Sequence, residues 1–304
     1  MPSTSLIRER IFQRFPWLQQ GDNLIVVSTD MDGLLSSALL HHHLGWQVAG
    51  YYNGINLWLS ADAERHRDKL IWVNLDICRP DCASIGHHVL TLTGKLPAEL
   101  HHVCNPNLLM GTGVNDFHTR YPFSTLLFLL WLHNLALRKD LMARLLVLCV
   151  GSVWIEFQLN NKNCRLWLDW LPDYNWNWLF QQVDTELFER RMRDHLYERM
   201  HRMGVSGMKS DRMSRHLKLP GDQLQFNPDW DDDVILGLYN LAGTHLKWSP
   251  PRVPEIKCRI EGQSSFIKLN AALLENFPAA LLRRGAFSYA IARQDAVNFT
   301  QLDW

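Results

Sequence analysis

Two aspartates separated by one residue follow the first apolar run of the chain. Residues 24–27 are rich in β-branched side chains and predict a buried strand, and Asp30-Met31-Asp32-Gly33 follows ahead of a helix-like run. In α/β proteins, ligands bind beyond the carboxyl ends of such strands. Alternate side chains of an extended segment point to opposite sides, so Asp30 and Asp32 can serve two metal positions, or one metal and one proton-transfer site. The structural alternative makes Asp30 a helix N-cap and Asp32 a favourable charge in the first turn.

Further metal-type side chains follow the next predicted strands. The apolar run 70–77 contains Asp76 near its end, and the pair His87-His88 lies in the apolar run after it. Aspartates and histidines at several strand ends indicate a carboxylate and imidazole cluster for a divalent metal. One histidine of such a pair can ligate the metal while the other faces a phosphate. In a chain with 14 His, a partly buried structural pair is the alternative.

From about residue 24 to about residue 156, the chain resembles the DHH phosphoesterase superfamily. That superfamily includes RecJ-type single-strand exonucleases, oligonucleotide phosphodiesterases and family II pyrophosphatases. Asp30-Met31-Asp32-Gly33 resembles the first motif of the superfamily, and Asp76 resembles the second. Gly86-His87-His88 resembles the Asp-His-His signature, and Asn105-Pro106 resembles the Asn-Pro that often follows it. Gly151-Ser152-Val153-Trp154-Ile155 resembles the fourth motif. The resemblance implies hydrolysis of a phosphodiester with bound Mn²⁺ or Mg²⁺.

The same resemblance implies a role for each matched residue. Asp32, Asp76 and His87 would hold one metal, and Asp30 and Asp76 would contribute to a second, weaker position. Asp30 would also assist the metal or its water, and His88 would contact the phosphate of the substrate. The two residues implied in catalysis are therefore Asp30 and His88.

Two positions depart from the family pattern. The signature aspartate is Gly86, and the fourth-motif aspartate falls on Ile155, with Glu156 one residue later. A single or low-affinity metal site therefore fits better than a two-metal clamp, because water can fill a lost ligand position. The preferred hypothesis is a metal-dependent phosphoesterase acting on a nucleotide, an oligonucleotide or a single strand. The alternative is a catalytically silent DHH-like module that binds a nucleotide or serves as a subunit of a larger complex. An aspartate-nucleophile phosphatase ranks last.

The basic residues of the second half divide into two groups. Residues 179–203 predict a long amphipathic helix whose arginines alternate with acids, which is typical of a solvated, salt-bridged face. The Gly-punctuated segment 204–221 has fewer acids and contributes phosphate-contact candidates. The predicted substrate-binding residues are His88, Asn105, Lys209, Arg212 and Arg215. Tryptophans at 167, 170, 176 and 178 either stack on bases or pack an interface.

Composition limits the possible partners and compartments. With 31 basic and 31 acidic residues, the chain has no net field that attracts nucleic acid or membrane, so any such contact needs a local patch. The six Cys show no zinc-type pairing and, without a signal peptide, predict a cytoplasmic protein. The apolar stretches 123–137 and 141–150 stop short of about 18 uninterrupted residues and predict two buried helices, with no membrane span.

The order of predicted elements indicates the fold class. Apolar strands alternate with helix-like segments through about residue 155, which predicts an α/β fold with a mostly parallel sheet flanked by helices. The second half predicts a mixed α+β region, with strands near 256–260 and 287–292. The predicted domains are residues 1–155, a helical connector 156–250 and a small β-containing segment 251–304. The expected partner is a nucleotide or single-stranded nucleic acid, and a protein partner or homo-oligomer stays open.

Overall fold

The computed structural model groups the chain into two compact units. It describes residues 5–91, 96–205, 212–221, 224–268, 277, 279–293 and 296–304. One unit, called the helical unit below, comprises Met1–Arg8, Thr29–His42 and Pro122–Val253. The other, the sheet unit, comprises Glu9–Ser28, His43–Tyr121 and Pro254–Trp304. Both units are discontinuous along the chain, whereas the predicted domains are consecutive ranges.

A seven-stranded sheet forms the centre of the sheet unit. Its strands in chain order are β1 (Leu24–Ser28), β2 (Gln47–Tyr52), β3 (Leu57–Ser60), β4 (Ile71–Val73), β5 (Ala83–Ile85), β6 (Val103–Cys104) and β7 (Ile256–Ile260). Across the sheet the order is β6-β5-β4-β1-β2-β3-β7. The first five of these are mutually parallel, and β3 runs antiparallel to both β2 and β7. The predicted α/β class with a mostly parallel sheet is therefore confirmed.

The central strands β1 and β4 mark the switch point of this sheet. The chain leaves β1 for β2 on one side and later leaves β4 for β5 on the other, the kind of point at which open α/β sheets bind ligands. Strand β4 is shorter than the apolar run 70–77 predicts, because Asn74 adopts a left-handed conformation with φ of 58°. The Asn74 amide donates to Ser28 Oγ at 2.9 Å and ties the ends of the two strands.

Among its described residues, the sheet unit also contains a separate antiparallel sheet and four short helices. The smaller sheet has the order β8-β10-β9, with β8 at Gln263–Lys268, β9 at Ser288–Arg293 and β10 at Ala296–Gln301. The helices are α1 (Arg8–Arg14, whose first residue belongs to the helical unit), α3 (Ala61–Arg65), α4 (Pro106–Met110) and α13 (Ala279–Leu282). The strands predicted near 256–260 and 287–292 are present as β7 and β9.

Aromatic side chains join the two sheets of this unit. Trp72 of β4 is fully buried, and its ring centroid lies 5.3 Å from that of Phe287 and 5.9 Å from that of Tyr52. Both pairs are edge-to-face, the arrangement that ring quadrupoles favour. Tyr52 in turn shares a hydrogen bond with Ser288 Oγ at 2.8 Å. The C-terminal segment is thus part of the core of the sheet unit.

The helical unit consists of nine described helices. They are α2 (Met31–Leu44, whose last two residues belong to the sheet unit), α5 (Thr125–Leu132), α6 (Leu141–Cys149), α7 (Val153–Leu159), α8 (Asn161–Trp170), α9 (Trp176–Phe180), α10 (Glu186–Arg191), α11 (Glu198–Arg202) and α12 (Asp232–Leu241). A π-helical segment, Met192–Tyr197, joins α10 to α11, and a second, Ala242–Leu246, extends α12. The long helix predicted over 179–203 is interrupted after α9, where Gln182 is left-handed with φ of 56°.

The helical stretch Leu141–Leu159 is long and apolar enough to cross a membrane by length and composition, with a mean hydropathy of 1.5. However, 83% of its apolar window is buried inside the protein, as in the core helix of a folded domain. Gly151 and Ser152, both left-handed, also interrupt the stretch between α6 and α7. The buried helices predicted within 123–137 and 141–150 correspond to α5 and α6.

A buried carboxylate holds the segment after residue 212 against α10. Glu189 accepts hydrogen bonds from Ser214 Oγ and Leu217 N, both at 2.6 Å, and from His216 N and Gln158 Nε2, both at 3.0 Å. Burial raises the pKa of Glu189, but these hydrogen bonds outweigh burial and hold the pKa below its ordinary value. The ionised carboxylate therefore stabilises the folded helical unit.

Replacing this carboxylate should destabilise the protein. We expect Glu189→Gln to lower the free energy of unfolding by about 2–4 kcal/mol, because an amide would turn a donor towards backbone N–H groups. The control is Glu186→Gln on the same helix, which removes only an exposed pair with Arg190 and should cost under about 0.5 kcal/mol. Urea denaturation at neutral pH measures both. Equal losses in the two variants would contradict the anchoring role.

Candidate functional site

Asp30 begins helix α2. Its Oδ1 accepts a hydrogen bond from Gly33 N at 2.8 Å, the geometry of an N-cap. The preceding residue is held from the other side, because Thr29 O accepts from Phe226 N at 3.0 Å. Within the helical unit, Asp30 therefore acts as the N-cap of α2, which was the structural alternative for this residue.

Asp32 joins α2 to the N-terminus of α5. The carboxylate is buried and accepts from Thr125 N at 2.8 Å, from Leu126 N at 2.9 Å and from Ser36 Oγ at 3.2 Å. Ser124 Oγ accepts from the next amide, that of Leu127. Together, Asp32 and Ser124 satisfy the first N–H groups of α5, which have no partner within their own helix. Negative charge is also favourable at this end of the helix dipole.

Burial dominates the electrostatics of Asp32. Loss of hydration, together with the nearby charge of Asp30, raises the pKa of Asp32 from 3.8 to about 7, against the opposing effect of its three hydrogen bonds. Because the pKa is raised on folding, the folded chain binds this proton more tightly than the unfolded chain does. The resulting stability is fully present below pH 3.8 and is lost as pH rises through about 7.

The stability of the protein should therefore depend on pH through Asp32. Between about pH 4 and pH 8, the free energy of unfolding of the wild type should fall by about 2–4 kcal/mol more than that of Asp32→Asn, since a tenfold change in proton affinity corresponds to about 1.4 kcal/mol. Urea titrations across this range give the two slopes. Asp62→Asn, which changes an exposed carboxylate, is the control. Parallel curves for the wild type and Asp32→Asn would contradict this assignment.

Asp76 is a buried carboxylate of the sheet unit that, like Asp32, accepts hydrogen bonds from backbone N–H groups. Its Oδ2 accepts from His88 N at 2.6 Å and from Val89 N at 3.2 Å, and its Oδ1 accepts from Asn105 Nδ2 at 3.1 Å. Burial raises the pKa of Asp76, while the positive charge of His88 and these hydrogen bonds lower it in part. The carboxylate thus fixes the backbone of the histidine segment.

Gly86 leaves the space that the Asp76 carboxylate fills. A Cβ atom added at Gly86 would lie 2.9 Å from the carboxyl carbon of Asp76 and 2.9 Å from each of its oxygens. Any larger side chain at this position, including the aspartate of the family signature, would displace Asp76 from its N–H donors. Asp76 can therefore keep its inward position only because the signature aspartate is replaced by Gly86.

This close packing gives a mutational test. Gly86→Ala should lower the free energy of unfolding by about 1–3 kcal/mol, because the added methyl overpacks a buried carboxylate. Gly243→Ala is the matched control, since its Cβ would meet its nearest neighbour at an ordinary 3.6 Å. In a double-mutant cycle with Asp76→Ala, the cost of Gly86→Ala should largely disappear. Additive losses in thermal or urea denaturation would contradict direct packing.

Two asparagines hold the histidine segment from its other side. Asn105 is fully buried, donates to Asp76 and Val89 O, and accepts from Asn107 N as the N-cap of α4. Asn107 Nδ2 donates to His87 O at 3.0 Å. Tyr121 N donates to Asn107 Oδ1 at 2.7 Å. Asn105, a predicted substrate-binding residue, therefore has its amide engaged within the protein.

The two imidazoles lie side by side on this fixed backbone. The ring centroids of His87 and His88 are 4.1 Å apart, with an interplanar angle of 39°. His87 is partly buried and packs edge-on against Tyr121 at 6.0 Å, whereas His88 is exposed. Burial, and then the charges of His88 and Arg120, hold the pKa of His87 well below its usual value. His87 is thus neutral at neutral pH.

The fourth-motif region contains a paired carboxylate. Ile155 is fully buried, and Glu156 forms a salt bridge with Arg212 and accepts from Asn160 Nδ2 at 2.5 Å. Arg212, a predicted phosphate contact, is thus engaged with Glu156. Arg215 is exposed, and its backbone N–H donates to Gln158. Lys209 lies outside the described residues.

Hydrogen bonds occupy most of the acceptor positions of Asp32 and Asp76. A carboxylate offers about four lone-pair positions, and in each of these two residues three already accept hydrogen bonds. Within the described ranges, no group of three or more His, Cys, Asp or Glu side chains is placed to hold a metal ion. The site for Mn²⁺ or Mg²⁺ stays a prediction.

The structure groups the predicted site residues in two sets. Asp30, Asp32, Arg212 and Arg215 belong to the helical unit, whereas Asp76, His87, His88 and Asn105 belong to the sheet unit. Three residues that contribute to the hydrogen bonds and charges described above were not predicted from the sequence, namely Asn107, Arg120 and Glu189. The Asn105-Pro106-Asn107 sequence is typical of a capped helix start and could have indicated Asn107.

Comparison with protein-family models, with curated proteins and with solved structures finds no match to this chain.

Proposed function

We propose that this chain is a catalytically degenerate DHH-like module that binds a nucleotide through its phosphate. The observation that supports this proposal best is the position of Asp76. Its carboxylate lies against Gly86 and holds the backbone of His88 and Val89, which is a structural use of a residue that the family employs as a metal ligand. Asp32 is used in the same way at the start of α5.

The side chains of His88 and Arg120 support the binding of an anion. His88 is exposed on a segment fixed by Asp76 and Asn107, and Arg120 lies close enough to influence the pKa of His87. Imidazole and guanidinium groups donate hydrogen bonds to phosphate oxygens, and a fixed backbone lowers the entropic cost of binding. A nucleotide phosphate at His88 and Arg120 therefore needs no metal ion for its recognition.

The second candidate is the metal-dependent phosphoesterase. One observation favours it, namely the pKa of Asp32 near 7, since strongly shifted carboxyl groups occur preferentially at catalytic sites. The same shift follows from burial at a structural position. We therefore rank hydrolysis below binding.

Turnover and binding assays separate the two functions. We expect no Mn²⁺-dependent cleavage of short oligonucleotides or of a generic phosphodiester, and we expect calorimetry to detect AMP binding. His88→Ala should weaken AMP binding at the histidine segment about tenfold, which corresponds to the loss of one charge-assisted hydrogen bond. His118→Ala, at an exposed histidine of the same unit, should leave it unchanged.

Two results would overturn the proposal. Mn²⁺-dependent cleavage by the wild type that is lost in a folded Asp76→Asn variant would establish the phosphoesterase instead. AMP binding that is equal in the wild type and in His88→Ala would exclude the histidine segment as the binding site. Circular dichroism of each variant checks that the fold is retained.

A further inference from the structure

A cleft with a volume of about 610 Å³ lies within the helical unit. One wall is the segment between α5 and α6, and the other is the segment that runs from the end of α8 into α9. The side chains used below are Asn134, Lys139, Asp173, Tyr174, Asn175 and Trp178. The volume lies within the range of about 300–1,000 Å³ that is typical of small-molecule sites.

Hydrogen bonds between the two walls fix the cleft. Tyr174 Oη donates to Leu135 O at 2.8 Å, and Trp131 Nε1 donates to Pro172 O at 2.8 Å. Arg8 adds a third tie, because its guanidinium donates to Trp131 O at 2.6 Å and to Pro172 O at 3.2 Å. The cleft is therefore pre-formed, and a ligand would bind without first ordering its walls.

Trp178 offers an aromatic surface to this cleft. The neighbouring rings are engaged, since Tyr174 and Trp176 lie 4.5 Å apart and Trp176 Nε1 donates to Leu171 O at 2.7 Å. Trp178 is half-buried and, in the part of the chain that the structure describes, its indole has neither a ring or cation partner nor a hydrogen-bond acceptor. A planar ligand in the cleft would therefore contact an indole that makes no ring or cation contact with another described residue.

Polar side chains share the lining of this cleft with Trp178. Lys139, Asp173, Asn134 and Asn175 are all exposed, and none of the four bonds through its side chain to another described residue. Asn134 and Asp173 are both left-handed, with φ of 50° and 60°. Asparagine and aspartate adopt this conformation readily in turns. The lining of the cleft thus combines one ammonium group, one carboxylate, two amides and one indole.

We propose that this cleft binds a nucleoside monophosphate. The indole of Trp178 stacks on the base, and the amides of Asn134 and Asn175 bond to the edges of the base. The Asp173 carboxylate accepts from ribose hydroxyls, and Lys139 pairs with the phosphate. A purely apolar ligand would leave these polar groups desolvated, and free phosphate would leave Trp178 uncovered beside a repelling carboxylate.

This inference rests on the helical unit alone and does not depend on the His88 segment. We therefore test it by calorimetry in the His88→Ala protein, with AMP, adenosine and inorganic phosphate as separate probes. AMP should bind with a dissociation constant between about 10 µM and 1 mM, and adenosine should bind about threefold to tenfold more weakly. Inorganic phosphate should show no measurable binding.

Variants of the cleft sharpen the test. Trp178→Ala should weaken AMP binding tenfold or more, the usual effect of removing a stacking partner, and Trp178→Phe should retain most of the affinity. Lys139→Ala should weaken the binding of AMP about threefold to tenfold but leave that of adenosine unchanged. The matched control is Trp230→Ala, because Trp230 is 72% exposed elsewhere in the same unit.

Three results would overturn the inference. They are no AMP binding at millimolar concentration in the His88→Ala protein, equal affinity in Trp178→Ala and its parent, and an equal loss in Trp230→Ala. AMP binding that His88→Ala alone abolishes would contradict this inference while supporting the histidine segment. AMP binding that Trp178→Ala alone abolishes would support this inference and contradict binding at the histidine segment.

Discussion

The hydrogen bonds from backbone N–H groups to the buried carboxylate of Asp76 constrain the rest of the sheet unit's candidate site. A buried charge is tolerated only where donors replace its water, and here the donors are His88 N, Val89 N and the amide of Asn105. To reach them, the carboxylate must lie where a side chain at position 86 would otherwise be, so Gly86 is required. The same contacts fix the direction in which the two imidazoles leave the backbone.

Buried carboxylates with backbone partners recur in the helical unit. Asp32 connects the first turn of α2 to the start of α5, and Glu189 holds residues 214–217 against α10. In each case several N–H or O–H donors point at a buried carboxyl group, so removal of that carboxyl group leaves those donors without an acceptor. Carboxylates of a type suited to metal chemistry are thus used here to connect segments distant in sequence.

This use of carboxylates moves the binding chemistry to other groups. In the two binding proposals, ligand recognition depends on imidazole and guanidinium groups in the sheet unit, and on an indole and amides in the helical unit. Such groups bind phosphates and bases by hydrogen bonds and stacking, whereas hydrolysis of a phosphodiester needs an activated water. The proposed binding functions therefore need no group that activates a water, whereas the phosphoesterase does.

The sequence alone determined the elements whose signal is local. Apolar β-branched runs indicated β1 and β4, and strongly apolar runs indicated α5 and α6, because the spacing of buried side chains follows from the backbone repeat. Only the tertiary structure decided what the charged residues do. Asp32 finds its donors 93 positions later, and Asp76 and Glu189 find theirs on separate segments. The left-handed Asn74 and Gln182, which end or interrupt predicted elements, were also not apparent from composition. The physical reason is that a carboxylate's role depends on which donors lie within about 3 Å of it, and periodicity does not encode that distance.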